Sequence, residues 1–259
     1  MLPGVLLSLA LPVVLAANAP ATPTELTAAQ IVDRDIEAKG GRQAWRAVHT
    51  LRFSGKMDAG GKQHTQLPFV FEMKRPRKTR VEIEFAKDNA IQVYDGTKGW
   101  KLRPYLGRRD LEPFTAEELK AASMESDLDG PLMDYAAKGT RVDLDGMDKV
   151  EGQDAYKLKL TAKDGHVRHL WVDAKTFLEL KIEGVPRRID GGMHPVEIYY
   201  RDYRNVNGLM IPHVFETTVV GVRNSQHKMT IESAQVNPQL DDALFTAPKT
   251  AAKLVAKSK

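Results

Sequence analysis

Apolar positions recur at helical spacing near the start of the chain and alternate from Leu51 onward. "TAAQIVDRDIEAKGG" reads as a helix. Thr27 and Gln30 stand at capping-box spacing, Ile31, Val32 and Ile36 give one apolar side, and Gly40-Gly41 supply a stop. Gln43 to Val48 read as a second short turn with Trp45 as a packing anchor. Alternation then predicts strands in "LRFSGKMD", "QLPFVFEMKR", "TRVEIEFA", "AIQVYD" and "GWKLRP", with turns at Gly60-Gly61 and Asp95-Gly96. A helical interruption follows. Thr115 and Glu118 repeat the capping-box spacing, and "GPLMDYAAKG" has Pro131 at a first turn and Gly139 at a stop. Strands resume in "TRVDLDGMDKV", "AYKLKLTA", "HVRHLWVD", "FLELKIEG", "VEIYYRDYR", "LMIPHVFETTVV" and "HKMTIESAQV". This order predicts an α+β fold, one large antiparallel sheet with its helices gathered on one side. Alternation within the strands predicts one apolar and one wet face.

The ends add boundaries. The uncharged run Val5–Leu15 is too short to span a bilayer and is followed by small residues, so residues 1–19 are expected to be a signal peptide. Residues 20–26 read as a Pro/Thr linker, 27–249 as the folded domain, and 250–259 as a disordered basic tail. The chain of 259 residues carries a net charge of +4, too mild a balance to require an anionic partner. With no cysteine, disulfides, thiolate metal sites and lipidation at a Cys are excluded.

Candidate chemistry is sparse. His166 and His169 lie three apart on a strand and face opposite ways, so they do not share a metal. "DLDGMD" lacks the remaining ligands of a calcium loop, and Asp127 and Asp129 read as helix-capping residues before Pro131. No nucleophile elbow, zinc-protease helix, phosphate loop or dinucleotide fingerprint occurs, so neither an enzyme nor a cofactor is expected.

The run "EMKRPRKTR" (Glu72–Arg80) is the sharpest feature. Leu67, Phe69, Phe71 and Met73 share a strand face, and Arg75 falls on that same face, while Lys74 points outward with Glu72. Arg75 is therefore either a snorkelling strand end or a cation placed over the apolar face. The run is too short and too poor in aromatics for nucleic acid.

"MKRP" followed by "VYDGTKGWKLRP" resembles the outer-membrane lipoprotein-sorting proteins, the LolA/LolB-like family. "GGRQAWRAVHTLRFSG", "ESDLDGPLMDYAAKG", "RDYRNVNGLMIPHVFE" and "VNPQLDDALFTAP" are similar to one branch of that group. The resemblance implies an unclosed half-barrel, here of about 11 strands, with helices over its concave face. It implies a periplasmic carrier, monomeric, binding acyl chains of lipoproteins or other lipids. An inner-membrane exporter and an outer-membrane acceptor are its implied partners, with no nucleic acid. In LolA-type carriers the arginine of Lys-Arg-Pro bonds to the lid helices and holds the empty cavity shut; by motif that residue is Arg75. Where those carriers have aromatics after the proline, this chain has Thr79 and Val81. An RseB-like envelope sensor is the alternative implied by the same fold.

Alternation nominates the wall of such a cavity: Phe53, Phe69, Phe71, Met73, Val81, Ile83, Phe85, Trp100, Leu158, Leu160, Leu178, Leu180, Ile182, Ile198 and Phe215. For each residue singly, ordinary core packing is an equal reading. The short helices expected near Glu117–Ala122 and Leu132–Ala137 are the candidate lids.

Overall fold

The structure, a computed structural model, describes residues 26–58, 65–85 and 88–248. The expected signal peptide, most of the linker, the turn at Gly60-Gly61 and the basic tail lie outside the described residues. The chain opens with α1 (Ala28–Ala38) and α2 (Arg42–Arg46). Six strands follow: β1 (Thr50–Asp58), β2 (Gln66–Lys74), β3 (Lys78–Phe85), β4 (Asp88–Tyr94), β5 (Gly99–Arg103) and β6 (Arg108–Pro113). After α3 (Ala116–Glu125) come β7 (Arg141–Val150), β8 (Gln153–Thr161), β9 (Val167–Asp173) and β10 (Glu179–Ile189). The last strands are β11 (Gly192–Val206), β12 (Leu209–Val219) and β13 (His227–Val236).

All 13 strands form one antiparallel sheet in the order β6-β5-β4-β3-β2-β1-β13-β12-β11-β10-β9-β8-β7. Two meanders, β1–β6 and β7–β13, are joined where β1 pairs with β13. The edge strands β6 and β7 do not pair with each other, so the sheet is curved but unclosed. The chain crosses between those edges through α3 and the segment after it. The expected strand number falls short by two, partly because β6, "RRDLEP", is highly charged and does not alternate. Charge of this kind protects an edge strand from further pairing.

Register carries one apolar row across the sheet. Phe71 faces Phe53 and Val81, Phe215 faces Tyr200, and Ile198 continues through Ile182, Leu170 and Leu158 to Leu144. Gly55 sits at a register shift between β1 and β13, where a Cβ would come within 2.0 Å of the Thr230 carbonyl oxygen. Only glycine allows the two backbones to approach there.

Helix α1 covers part of this row. Its capping box between Thr27 and Gln30 forms as expected, and Ile31, Val32 and Ile36 are buried in the main core. Asp35 occupies the same stripe and is fully buried. Lys39 Nζ lies 2.9 Å from Asp35 and 2.7 Å from Glu179 on β10. The Lys39–Asp35 contact is close but poorly aligned for a hydrogen bond, so the attraction there is chiefly Coulombic. Burial pushes the Asp35 carboxyl up to about 7; Lys39 pulls it down and Glu179 pushes it further up. Burial disfavours the Lys39 charge, but the two carboxylates outweigh it and raise its pKa.

Residues 131–139 do not form the expected helix. Pro131 to Gly139 run as successive turns, and Asp134 has a φ of 49°, a left-handed value that interrupts an α-helix. The Asp134 carboxylate accepts bonds from Arg42 and Arg46, each at 2.8 Å. Leu132 and Met133 are completely buried, so this segment is a fixed plug rather than a movable lid.

The outer face is not uniformly wet. The C-terminal turn Asp242–Phe245 covers β4 and β5 there, burying Val93 and Phe245 beside Trp100. Glu72 also faces outward and is nearly buried, near Arg52 and Arg80.

A folded-state pKa of about 7 means that Asp35 keeps a proton which the unfolded chain has released. Stability is therefore expected to fall as pH rises from about 4 to about 7. Asp35→Asn should flatten that slope in urea denaturation; an unchanged slope would refute the assignment.

Candidate functional site

Between the inner face of the sheet and α3 lies a cavity of two chambers. The outer chamber, about 740 Å³, has Phe71, Thr79, Val81 and Gln92 on one wall. Val185 to Ile189, Val196 and Ile198 form the other wall, and Glu117 to Glu125 of α3 the roof. The inner chamber, about 300 Å³, is lined by Phe53, Met73, Ile182, Tyr200, Ile211 and Phe215, with Lys39 and Glu179 among its lining residues. Phe71, Glu125 and Ile198 line both and mark where they meet. These volumes lie within the range of small-molecule sites, roughly 300–1,000 Å³. Strands far apart in sheet order meet around one space because the sheet curves.

Helix α3 is held mainly at its start. Thr115 and Glu118 form the expected capping box, and Lys101 on β5 donates to both Glu118 oxygens at 2.5 Å. Lys101 shares the inner face with Gln92 and Val81, which aims its ammonium at the helix. Burial alone would raise the Glu118 pKa, but bonds from Lys101 and the Thr115 backbone bring it below the ordinary value. No residue of α3 is buried. A helix with so little packing contributes little of its own stability and opens at low free energy.

Arg75 ties the opposite side together. Its Nε donates to the Val48 carbonyl at 2.7 Å, and one terminal nitrogen donates to the Trp45 carbonyl at 3.2 Å and to Asp129 at 2.8 Å. Asp129 also accepts from Lys138 at 2.8 Å. Burial pushes the Asp129 carboxyl up, but the bonds from Lys138 and Arg75 outweigh it and hold the group below the ordinary carboxylate range. One guanidinium thus joins the turn after α2 to the plug that closes the inner chamber.

The structure sorts the residues nominated from alternation. Phe53, Phe71, Met73, Val81, Ile182, Ile198 and Phe215 line the two chambers. Phe69, Ile83, Leu158 and Leu160 belong to the main core with α1. Phe85 is 38% exposed at the rim and meets the Tyr105 ring at 5.7 Å. Trp100 lies on the outer face opposite Val93, because one register step separates it from the inward Lys101. A bulge between Glu179 and Lys181 turns Leu180 outward, where it packs beside Trp171, while Glu179 and Ile182 face inward. Leu178 sits in the connection before β10. Alternation cannot report a bulge, so it placed the wrong residues of that strand inside.

Charged residues of the cavity escaped sequence reasoning. Glu125 projects into the space between the chambers: its side chain has open surface, yet protein surrounds it at a distance. Burial raises its pKa against the pull of Arg187 and Arg168. Arg168 faces inward opposite Leu160. Its alternation with Leu170 and Val172 in "HVRHLWVD" was the available signal.

A family model described as "Uncharacterized protein" matches residues 110–249, more than half of the chain. The chain belongs to that family, and its fold is LolA-like. A LolA superfamily protein from Nitrosomonas europaea is similar at 15% identity and a TM-score of 0.55, over 86% of this chain and 98% of the other. A putative outer membrane lipoprotein-sorting protein domain from Vibrio parahaemolyticus is similar at 14% identity and a TM-score of 0.55, over 83% and 97%. A DUF1329 family protein from Desulfovibrio piger gives 13% identity and a TM-score of 0.53, over 85% and 97%. No curated protein matches the sequence. Among the described residues, no helix is long and apolar enough to cross a membrane.

The depressed Asp129 pKa sets the pH range of the Arg75 tie. The tie is complete above about pH 4 and is lost as pH falls through the lower folded value. Asp129→Asn is expected to destabilise the protein by about 1–3 kcal/mol at neutral pH and to reduce the acid dependence of unfolding. A variant with the wild-type acid profile would rule this out.

Proposed function

We propose that this protein is a periplasmic carrier that holds acyl chains of lipoproteins or other lipids in the two-chambered cavity and ferries them toward the outer membrane. The observation that carries the reading is the cavity itself, largely apolar in its inner chamber, of mixed polarity in its outer one, and roofed by a helix without a buried residue. The LolA-like fold supports it. The apolar run Val5–Leu15, read as a signal peptide, supports export to the periplasm.

Burial of a methylene contributes about 0.8 kcal/mol. A sixteen-carbon chain then offers on the order of 12 kcal/mol before ordering terms. Binding is easily met, and release is the harder requirement. A carrier needs protein contacts that compete with lipid for the same wall. Helix α3 supplies such contacts over the outer chamber, and Arg75 steadies the closed plug beside the inner one. No catalytic step enters this reading.

Protein purified from the periplasm should carry lipid in native mass spectrometry, or accept a fluorescent fatty acid when stripped. A protein that does neither would overturn the carrier assignment. Hydrogen exchange in α3 should differ between the lipid-free and lipid-bound forms, and equal protection would remove α3 as the lid. On this reading the Arg75 contacts favour the lipid-free form, so Arg75→Leu should retain lipid about tenfold more tightly. Release and uptake rates equal to wild type would leave Arg75 a structural residue only.

A further inference from the structure

A second cleft of about 270 Å³ lies between α3, the plug and the β8–β9 side of the sheet. Its basic residues are Arg77, Lys120, Lys138, Lys163 and Arg168; its acidic ones are Asp127 and Asp164. With Asp129 beside Lys138 counted as well, five basic residues stand against three acidic ones, a local excess of two positive charges. Three of the five are paired: Arg77 with Asp127 at 3.0 Å, Lys138 with Asp129 at 2.8 Å, and Lys120 with Asp164 at 3.6 Å. The side chains of Arg168 and Lys163 make no hydrogen bond or ion pair among the described residues.

An exposed lysine without a partner is ordinary; a half-buried arginine is not. The Arg168 guanidinium carries five donors. It stands on the inner face opposite Leu160, which is 2% exposed. None of the Arg168 nitrogens is both buried and unpartnered, so the free donors stay open to a ligand that enters the cleft. Glu125, the carboxylate that pulls toward Arg168, does not reach it within ion-pair distance.

Position decides what the missing acceptor is. Arg168 lines the cleft and also the apolar inner chamber, as do Met124, Asp127 and Pro131. The wall between the two spaces therefore includes the end of α3, the element with the weakest packing. An apolar chamber beside a cationic cleft, with a free guanidinium at the boundary, matches an amphiphile whose anionic group joins directly to its hydrocarbon part.

We infer that the ligand is an anionic lipid, its acyl chains in the inner chamber and its phosphate in the basic cleft against Arg168. This rests on the carrier reading and adds the headgroup to it. The phosphate would take a charge-assisted, bidentate geometry on the guanidinium, with Lys163 as a second cation from the solvent side.

Extraction from vesicles by the purified protein tests this with phosphatidylglycerol and diacylglycerol of identical acyl chains. Phosphatidylglycerol should be taken up about tenfold better. Arg168→Gln should bring that ratio close to one, and added salt should lower it. Equal uptake of both lipids by the wild type would overturn the headgroup site and leave the carrier standing. Uptake of neither would overturn the carrier reading and the headgroup site with it. Inorganic phosphate bound in calorimetry as tightly as phosphatidylglycerol would make the cleft a free-anion site and overturn the lipid assignment. Should Arg168→Gln fail to fold, Lys163→Gln carries the test: a reduced ratio supports the site, and an unchanged ratio refutes it.

Discussion

A sheet of 13 strands exposes more apolar face than this chain has helix to cover, and that shortage governs the rest of the structure. Among the described residues only α1, α2 and α3 are α-helical, and α2 spans a single turn. Apolar surface left in water is unfavourable in proportion to its area. The sheet answers by curving, so that part of its inner face covers another part. Helix α1 and the plug complete the seal over β7–β9 and β10. What remains is a cavity under α3, where no residue of the covering helix is buried.

Polar anchors fix which covers are permanent. The buried Lys39–Glu179 ion pair, with the Asp35 carboxyl beside it, locks α1 onto β10. Breaking one partner of such a buried cluster strands the others, so α1 stays in place. Arg75 and Asp129 hold the plug with more bonds, but from a guanidinium that is less buried. Helix α3 is anchored at its first turn, near Lys101, while its far end borders both the cavity and the basic cleft. The covers thus grade along the inner face from a helix with a buried stripe to one without a buried residue. The proposed carrier role draws on that gradient, because a site sealed everywhere cannot load.

Electrostatics adds direction to an otherwise greasy space. Arg168 and Glu125 both line the inner chamber from different elements, Arg168 where it borders the cleft and Glu125 where it borders the outer chamber. Their placement converts a hydrophobic hollow into one with a polar end, which orients an amphiphile. Hydrocarbon burial is non-directional, so it supplies affinity without orientation. The charged groups supply the orientation.

Much of this was legible in the chain alone. Alternation located twelve of the strands, capping boxes located α1 and α3, and alternation set Arg75 on the face of Phe71 and Met73 while leaving open whether it snorkels or makes a specific contact. Local periodicity suffices for such elements because their side chains repeat with the backbone. It failed where backbone geometry departs from the repeat. The bulge at Glu179–Lys181 exchanged Leu180 for Glu179, and the left-handed Asp134 turned an expected lid helix into a buried plug. It also could not show that the C-terminal turn would cover Trp100 on the outer face, since that contact joins residues far apart in sequence. The sequence by itself determined a two-faced antiparallel sheet and its helix starts, because those follow from neighbours along the chain. Only the tertiary structure decided which apolar residues enclose empty space and which charges face it, because cavities form where distant strands approach and fail to fill the gap.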